Sequence, residues 1–173
     1  PPVFHEAYLL PDPTVQDNSA YGFAVAIDNG IALVGDPRGL SPTGYLTGVV
    51  EVFDVSDPTT PVHLAEFTDE NAAEPHPFPF QMDFDWPLAA IGTLAGGPYY
   101  TDDRRAGAVF VFDLLDPTQP RQLSVAVPPA DLLEDIGFGS DVAIGGGVVA
   151  VTGYGDYVTY PFGDLLYGIV YLY

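Results

Sequence analysis

The 173-residue chain has no cysteine and no lysine, and its permanent positive charge comes from four arginines. Without cysteine, neither a disulfide bond nor a thiolate zinc site can form within it. The 24 aspartate and glutamate residues leave a formal net charge of −20 at pH 7. A chain this acidic repels phosphate backbones, so we expect no nucleic-acid partner. The acidity is typical both of a functional acidic surface and of proteins from salt-adapted or high-GC organisms, and composition alone leaves both explanations open.

Long apolar runs are also missing. No run approaches the roughly 18 residues that cross a bilayer as a helix, so we expect no transmembrane segment. The chain shows no signal-peptide pattern and begins Pro-Pro rather than Met, from which we expect a processed or trimmed mature segment. What the chain has instead is 19 Gly, 18 Pro and 47% hydrophobic residues. This mixture is typical of a packed β protein with many turns.

One stretch occurs twice without a gap and a third time in part. Gly48-Val-Val-Glu-Val-Phe-Asp-Val-Ser-Asp-Pro-Thr-Thr-Pro61 returns as Gly107-Ala-Val-Phe-Val-Phe-Asp-Leu-Leu-Asp-Pro-Thr-Gln-Pro120, and its strand part returns as Gly168-Ile-Val-Tyr-Leu-Tyr173. Each full copy ends in an Asp-Pro-Thr turn, where proline fixes φ at about −65°. We therefore expect a type I turn after each strand, capped by Asp57 in one copy and Asp116 in the other.

A second element recurs in the same order, at residues 24–35, 81–92 and 141–152. Each copy has the pattern of two short strands joined by a turn. Together the two elements divide the chain into three repeats, which we place at 1–60, 61–119 and 120–173. The predicted strands are d at about 2–10, 62–68 and 121–127, a at about 24–28, 81–85 and 141–145, b at about 31–35, 88–92 and 148–152, and c beginning at Gly48, Gly107 and Gly168.

The predicted strands are apolar on both faces. Ile31-Ala-Leu-Val34, Ala108-Val-Phe-Val-Phe112 and Val148-Val-Ala-Val151 show no alternation, whereas a sheet with one face in water would alternate. Small sheets covered on both faces are typical of propeller blades. We predict an all-β fold, a β-propeller-type array of three four-stranded antiparallel blades in the permuted order d-a-b-c. The alternative is a threefold β-prism or β-trefoil.

The loops between strands b and c and between strands d and a vary in length, while the other turns do not. In an up-and-down meander these variable loops share one side of the sheets, which we take as the binding side. Tyr and Arg beside Asp are typical of protein interfaces and of sugar sites. The candidate binding residues are Arg38, Tyr45, Tyr99, Tyr100, Asp102, Arg104, Arg105, Tyr154, Tyr157 and Tyr160. The alternative is local loop packing, with Arg104 and Arg105 paired with Asp102 or Asp103.

No pattern predicts a catalytic residue. Ser140 opens a strand and lacks the Gly-x-Ser-x-Gly context of a nucleophile elbow. His5, His63 and His76 are too scattered to predict a zinc site. We expect no enzyme activity, no metal ligands and no cofactor.

Acidic loop residues are the one set that suits a hard cation such as Ca²⁺. Their spacing matches no known calcium loop, so a solvated acidic rim is the alternative. These residues are Asp69, Glu70, Glu74, Asp102, Asp103, Asp131, Glu134 and Asp135.

Two motifs resemble known repeat families. Val-Phe-Asp-Val-Ser-Asp-Pro-Thr-Thr-Pro-Val, from Val52 on, resembles the LVIVD repeat of exported bacterial and archaeal proteins. The starts Tyr21-Gly-Phe-Ala-Val-Ala-Ile27 and Phe138-Gly-Ser-Asp-Val-Ala-Ile144 resemble the FG-GAP repeats of integrin-like propellers. The resemblance implies a β-propeller, an extracytoplasmic location (periplasmic, cell-surface or secreted) and no catalysis. The Asp-x-Asp-x-Asp-Gly loop of calcium-binding FG-GAP units is not present.

The two ends of the repeat array are complementary. The chain begins with a predicted strand d, including Val3, Phe4 and Tyr8, and ends with a predicted strand c, including Ile169, Val170 and Tyr171. These closure strands predict a second copy that completes a six-bladed dimer. The alternatives are a piece of a larger propeller or docking on other subunits.

We expect a non-catalytic interaction or scaffolding module, such as an accessory subunit of a larger cell-envelope or membrane-associated complex. The alternative is a lectin-like propeller that binds glycans through its tyrosine-rich loops.

Overall fold

The computed structural model describes residues 9, 19–40, 47–69, 78–93, 107–128, 137–160 and 163–173, with backbone only for 154–160 and 163–167. Eleven strands and no helix run through these residues. No helix that could span a membrane is therefore found in this part of the chain. The strands are β1 (Ala24–Asp28), β2 (Ile31–Asp36), β3 (Val49–Asp54), β4 (Val62–Phe67), β5 (Gln81–Asp85), β6 (Leu88–Thr93), β7 (Ala108–Asp113), β8 (Arg121–Ala126), β9 (Val142–Gly145), β10 (Val148–Tyr160) and β11 (Gly163–Leu172).

The strands form three separate antiparallel sheets. The first sheet has the order β1-β2-β3-β4, the middle sheet β5-β6-β7-β8, and the third sheet β11-β10-β9. The predicted all-β fold with three antiparallel sheets is confirmed. Strands a, b and c of each repeat, and strand d at 62–68 and 121–127, correspond to observed strands, whereas the predicted strand d at about 2–10 lies, apart from Leu9, outside the described residues. The third sheet has three strands among the described residues rather than the predicted four, and no sheet closes on itself.

In the first and third sheets, the first two strands are joined by a tight turn whose residues adopt positive φ. Between β1 and β2, φ is 47° at Asn29 and 76° at Gly30. Between β9 and β10, φ is 57° at Gly146 and 80° at Gly147. Two successive positive φ values define the type I′ turn, whose twist matches that of the flanking strands. The corresponding turn of the middle sheet contains the cis peptide bond Trp86-Pro87.

The Asp-Pro-Thr turns have the predicted capping. The Thr60 N–H donates to the Asp57 carbonyl at 3.1 Å, and the Thr59 N–H donates to Asp57 Oδ1 at 2.9 Å. The second copy repeats both bonds, from Gln119 N–H at 3.0 Å and Thr118 N–H at 3.1 Å to Asp116. Each aspartate side chain therefore accepts a hydrogen bond from a turn N–H that would otherwise have only water as its partner.

Both kinds of tight turn lie at the same end of the sheets. The Val55 N–H donates to the Gly30 carbonyl, and the Leu114 N–H donates to the Pro87 carbonyl, each at 2.8 Å. Successive strands of a meander reverse direction, so the loops of variable length leave from the opposite end. This arrangement agrees with the predicted division into a constant and a variable side.

One loop prediction is wrong. Tyr154, Tyr157 and Tyr160 were predicted to lie in the variable loop between strands b and c, but β10 continues to Tyr160 and pairs with β11 as a long antiparallel ribbon. The pairing shifts register between Tyr154 and Tyr157, so that Gly155 and Asp156 are absorbed as an irregularity. The residues beyond it are β-formers (Tyr, Val, Thr and Leu), and this composition favours strand over loop.

The core is divided between the spaces that separate the sheets. One cluster of buried side chains joins the first and middle sheets, with the Phe67 and Phe112 ring centroids 4.3 Å apart and those of Phe78 and Phe110 5.5 Å apart. A second cluster joins the middle and third sheets around Phe138. β5 contacts both β1 and β9. The first strands of successive sheets therefore lie side by side, and the middle sheet is covered on both faces.

Candidate functional site

The two faces of the middle sheet define the way in which the sheets stack. We call the face that packs on the first sheet its front and the face that packs on the third sheet its back. Buried front-face side chains are Met82, Phe84, Ala89, Ile91, Phe110 and Phe112. Back-face side chains in the second cluster are Ala90, Val109 and Val111. The repeat alignment gives the corresponding front and back positions of the outer sheets.

Among the described residues, no sheet packs against the front of the first sheet, and the side chains of Val25 and Ile27 on β1 are open to solvent. Val25 is 67% exposed and Ile27 is 68% exposed. Their counterparts in the middle sheet, Met82 and Phe84, are 7% and 6% exposed. The same two positions are thus core in one sheet and surface in the next.

The back of the third sheet shows the same contrast. Val170 is 63% exposed and Leu172 is 72% exposed, whereas their counterparts in the first sheet, Val50 and Val52, are fully buried. Val148 on the neighbouring strand is also exposed. The exposed aliphatic side chains at the two ends of the stack are therefore repeat core positions, and adjacent exposed apolar side chains of this kind mark interaction sites.

The outer part of the first sheet's front face is partly covered. Leu9 and Tyr21 pack against the buried side chains Ala32, Val34 and Phe53. Burial, reinforced by the negative charge of nearby Glu51, raises the pKa of the Tyr21 phenol well above its usual range. The open apolar area of this face is therefore concentrated on β1.

Glu51 places a carboxylate on the same front face. It is 2% exposed and stands where the repeat has Phe110 in the middle sheet and Tyr171 in the third. His63 Nε2 lies 3.4 Å from its Oε2, and the His63 ring packs edge-on against Phe53 with centroids 5.1 Å apart. The front of the first sheet is therefore more polar towards β3 and β4 than the middle sheet at the same place.

A carboxylate links each sheet to the next. Asp28 Oδ2 accepts the Trp86 N–H at 2.8 Å, and Asp85 Oδ2 accepts the Gly146 N–H at 2.9 Å. The two bonds join equivalent positions, from the end of one first strand to the turn of the following sheet. The third sheet has Gly145 at this position, so its back face carries no such acceptor. The sequence did not lead us to predict this link. The only signal was that the repeat alignment has aspartate at positions 28 and 85 and glycine at Gly145.

The glycine that opens strand c lies directly against the backbone that precedes the following sheet. A Cβ at Gly48 would lie 1.5 Å from the Phe78 carbonyl oxygen, and one at Gly107 would lie 1.9 Å from the Phe138 carbonyl oxygen. A Cβ at Gly168, the third equivalent, meets no atom within 4 Å. Gly168 is thus the counterpart of the two contact glycines, but among the described residues no sheet lies against it.

The variable-loop side is anchored by buried polar groups. Asp36 is buried at the end of β2, and its carboxylate accepts the Ala20 N–H at 2.9 Å, the Arg38 N–H at 3.0 Å and the Ser19 hydroxyl. Thr68 Oγ1 donates to the Gly48 carbonyl at 2.8 Å. These bonds fix the backbone at the strand ends from which the variable loops begin.

The predicted binding residues are only partly located. Arg38 is exposed in the turn that follows β2. Tyr154, Tyr157 and Tyr160 lie along β10, with Cα partners Gly168, Leu166 and Gly163 on β11. The other predicted loop residues and the N-terminal closure residues lie outside the described residues; these are Tyr45, Tyr99, Tyr100, Asp102, Arg104, Arg105, Val3, Phe4 and Tyr8.

The C-terminal closure residues lie on β11, which pairs with β10 on one side. Tyr171 packs against Phe138 with ring centroids 5.3 Å apart, on the front of the third sheet. Val170, the exposed back-face residue described above, and Ile169, which is half-buried, flank it. Val170 thus belongs to the open face, whereas Tyr171 belongs to the internal junction.

Residues considered for chemistry have structural partners. Ser140 Oγ and Thr152 Oγ1 share a hydrogen bond at 3.0 Å at the start of the third sheet. Within the described ranges, no group of three or more His, Asp or Glu side chains is placed to hold a metal ion. His5, His76 and the acidic loop residues, apart from buried Asp69, lie outside those ranges.

Comparison with known proteins adds no family assignment. No protein-family model matches the chain, and no curated protein matches it significantly. The open faces of the outer sheets are therefore the functional candidates that rest on the geometry of this chain alone.

Proposed function

We propose that this protein is a non-catalytic interaction or scaffolding module that binds a protein partner through the open faces of its outer sheets. The observation that carries the proposal is the contrast between equivalent positions. Val25, Ile27, Val170 and Leu172 are exposed where their internal counterparts are buried. Covering aliphatic side chains of this size contributes roughly 1.5–3 kcal/mol each when burial is complete. A partner that covers either face therefore gains substantial binding free energy.

We also propose that the three sheets are blades of a β-propeller of the LVIVD or FG-GAP type. The contacts of β5 with both β1 and β9 support this arrangement, because inner strands of adjacent blades are neighbours around a propeller axis. The repeated carboxylate links and contact glycines support a constant step from each sheet to the next. An extracytoplasmic location and membership of a cell-envelope complex belong to the same proposal and rest on the resemblance.

Affinity capture with a matched pair of variants tests the interaction role. The bait is the whole chain, compared with a Val170→Asp/Leu172→Asp variant and with Leu115→Asp as control. Leu115 is an equally exposed apolar residue in a turn on the other side of the molecule from the variable loops, where the first copy has Ser56. We expect proteins captured from envelope extracts by the wild type and the control to be lost with the double variant. Identical capture by all three baits contradicts the proposal.

The β10–β11 ribbon favours glycan binding as a second candidate function. The ribbon places three tyrosines on one strand beyond the point where β9 ends, since β9 pairs only as far as Val151. Aromatic rings are the usual stacking surface for sugars. A glycan array probed with the wild type and with Tyr157→Ala is the test. Binding that disappears in the variant supports the candidate, and an absence of binding by the wild type dismisses it.

A further inference from the structure

We propose that the partner of the open faces is a second copy of this chain, bound head to tail. The back of the third sheet of one copy then covers the front of the first sheet of the other. Two such junctions join two copies into a closed assembly of six sheets. The proposal rests on the proposed interaction function and names its partner.

The internal junctions show what covers each face of a sheet. The back of the first sheet is covered by the front of the middle sheet, and the back of the middle sheet by the front of the third. In every case the occupant is the front face of the next repeat. Among the described residues, the back of the third sheet is uncovered, and the front of the first sheet is uncovered along β1. A second copy supplies to each of these surfaces the occupant that the repeat specifies.

The exposed side chains of the two faces match each other chemically. Val25 and Ile27 on the front and Val170 and Leu172 on the back are all aliphatic, as are Val50 and Val52 at the internal junction. Neither set contains a charged side chain. Burial of one set against the other leaves no polar side-chain group of these positions without a partner.

Gly168 has open space beside it, unlike the two internal contact glycines. Gly48 and Gly107 lie against the carbonyl groups of Phe78 and Phe138, which precede the first strand of the following sheet. Tyr21 occupies the same position before β1. Gly168 therefore leaves room for the Tyr21 carbonyl of a second copy, as the internal glycines do for their neighbours.

Two positions make the junction between copies weaker than the internal ones. Gly145 lacks the carboxylate that Asp28 and Asp85 provide, and Thr152 stands where the internal junctions have Gly35 and Gly92. The Thr152 side chain is engaged within its own sheet, where Oγ1 accepts the Asp141 N–H at 2.9 Å. We therefore infer a reversible dimer rather than a permanent one.

The charge of the chain gives the dimer a diagnostic salt dependence. Each copy carries a formal charge of −20, so association brings like charges together. Salt screens that repulsion over a Debye length of about 10 Å at 0.1 M, and the apolar contacts do not depend on it. The dimer should tighten as NaCl is added. Association driven by surface ion pairs would weaken instead.

The closed arrangement is geometrically reasonable. A head-to-tail contact gives a closed ring when its rotation closes, and two copies close when each spans half a turn. Six sheets fall within the range of about four to eight blades seen in propellers. The assembly should stop at two copies, because no open face remains.

Sedimentation velocity and light scattering of the purified chain over a concentration series are the primary test. We expect a monomer–dimer equilibrium with no larger species, shifted towards dimer by salt. A monomer at every concentration overturns the proposal, and so does a mass that keeps growing with concentration. Because the capture experiment described above is independent, a monomer that still captures other proteins through the same face overturns only the identity of the partner.

A complementation experiment tests the head-to-tail geometry. One variant carries Val25→Asp/Ile27→Asp, which blocks the front face, and the other carries Val170→Asp/Leu172→Asp, which blocks the back face. Each alone should be monomeric, with a dissociation constant raised roughly 100-fold or more, because a carboxylate is forced into an apolar contact. All four positions are exposed in the single copy, so both variants should fold, which circular dichroism checks.

A mixture of the two variants should recover association. The intact back face of the first variant matches the intact front face of the second, which permits one junction and an open heterodimer. Failure of the mixture to associate overturns the head-to-tail geometry, and so does dimer formation by either variant alone. Leu115→Asp is the control and should dimerise like the wild type.

A gain-of-function variant tests whether the sheets at the junction between copies are placed like those at the internal junctions. Gly145→Asp restores the missing carboxylate at a position where a Cβ meets no atom within 4 Å. We expect it to lower the dissociation constant about 3- to 10-fold, the gain typical of one net hydrogen bond. Gly145→Ala is the matched control without an acceptor. Equal affinities for the two variants contradict this register of the junction.

Discussion

The middle sheet and the two outer sheets are built from the same repeat but meet different surroundings. Both faces of the middle sheet pack against protein, and its strands β6 and β7 are buried almost throughout. Each outer sheet has one such face and one face with exposed Val, Ile or Leu. The difference shows that the apolar pattern of a strand specifies what the strand is able to bury, whereas position in the stack decides what it does bury.

The largest expected effect is the loss of stability when an internal contact glycine, Gly48 or Gly107, is replaced, compared with replacement of Gly168. Gly48→Ala or Gly107→Ala should abolish the folded state, because the new Cβ collides with a backbone carbonyl oxygen and φ is positive at both positions, +76° and +72°. Gly168→Ala should change the free energy of unfolding of the isolated copy by no more than about 0.5 kcal/mol. Circular dichroism and urea denaturation at low protein concentration measure both. A comparable loss of unfolding free energy at all three positions would show that Gly168 is packed as closely as Gly48 and Gly107, which contradicts the prediction.

The next comparison uses two equivalent front-face residues. Phe84→Ala in the middle sheet should cost about 3–5 kcal/mol, because it leaves a cavity between sheets. Ile27→Ala in the first sheet should cost no more than about 0.5 kcal/mol in the monomer, because the side chain is already in water. Thermal and urea denaturation give the two values. If Ile27→Ala proves as costly as Phe84→Ala in dilute solution, the first sheet is covered within the single copy.

A smaller effect is expected from the inter-sheet carboxylates. Asp28→Ala should destabilise the chain by about 1–2 kcal/mol, because the partly buried Trp86 N–H loses its acceptor. Asp85→Ala should cost less, because water can replace the acceptor at the exposed Gly146 N–H. Urea denaturation of both variants, with Asp28→Asn and Asp85→Asn as controls for charge, tests the order. The reverse order would show that exposure does not govern the strength of these links.

The smallest effect is expected from the Asp-Pro-Thr turns that the first and middle sheets share. Hydrogen bonds from the Thr59 side chain and backbone lower the pKa of Asp57, and Thr118 lowers the pKa of Asp116 in the same way. A folded-state pKa below the unfolded value of about 3.9 means that the stabilisation is present above that pH. It is lost as the pH falls through the folded-state pKa.

The corresponding measurement is the difference in melting temperature between wild type and Asp57→Ala/Asp116→Ala. We expect a small positive difference near pH 6 that shrinks as the pH falls below about 4. Taking the difference cancels the titration of the remaining carboxylates. A difference that stays constant down to pH 2 would show that the two aspartates act through turn geometry without their charge.

Much of the fold could be predicted from the sequence because the repeat supplies internal controls. Strands β1 to β8 fall within one or two residues of their predicted bounds, and the Asp-Pro-Thr turns have the expected bonds. These features depend on local chemistry, such as proline φ, glycine in type I′ turns and apolar runs, which is fully present in the sequence.

The errors arise where the structure depends on contacts between distant residues rather than on the local sequence pattern. The tyrosine-rich segment from Tyr154 to Tyr160 was predicted to be a loop, because its glycine and tyrosines resemble a binding loop. Pairing with β11 turns it into a strand, and such pairing is a tertiary property. The exposure of Ile27 and Leu172 could not be read from their strands either, since both occupy core positions of the repeat. Only knowledge of which sheets have neighbours reveals them.

The meander topology has a consequence for how the chain opens. Every strand in the described residues pairs only with strands adjacent to it in sequence, and each sheet is a self-contained set of short-range pairings. Unfolding can therefore proceed sheet by sheet from the two ends, without first separating distant parts of the chain. Amide hydrogens of β6 and β7 should exchange with solvent most slowly, and those of β1, β9 and β11 sooner. Association that covers the end sheets would slow the exchange of the outer strands towards the rate of the centre.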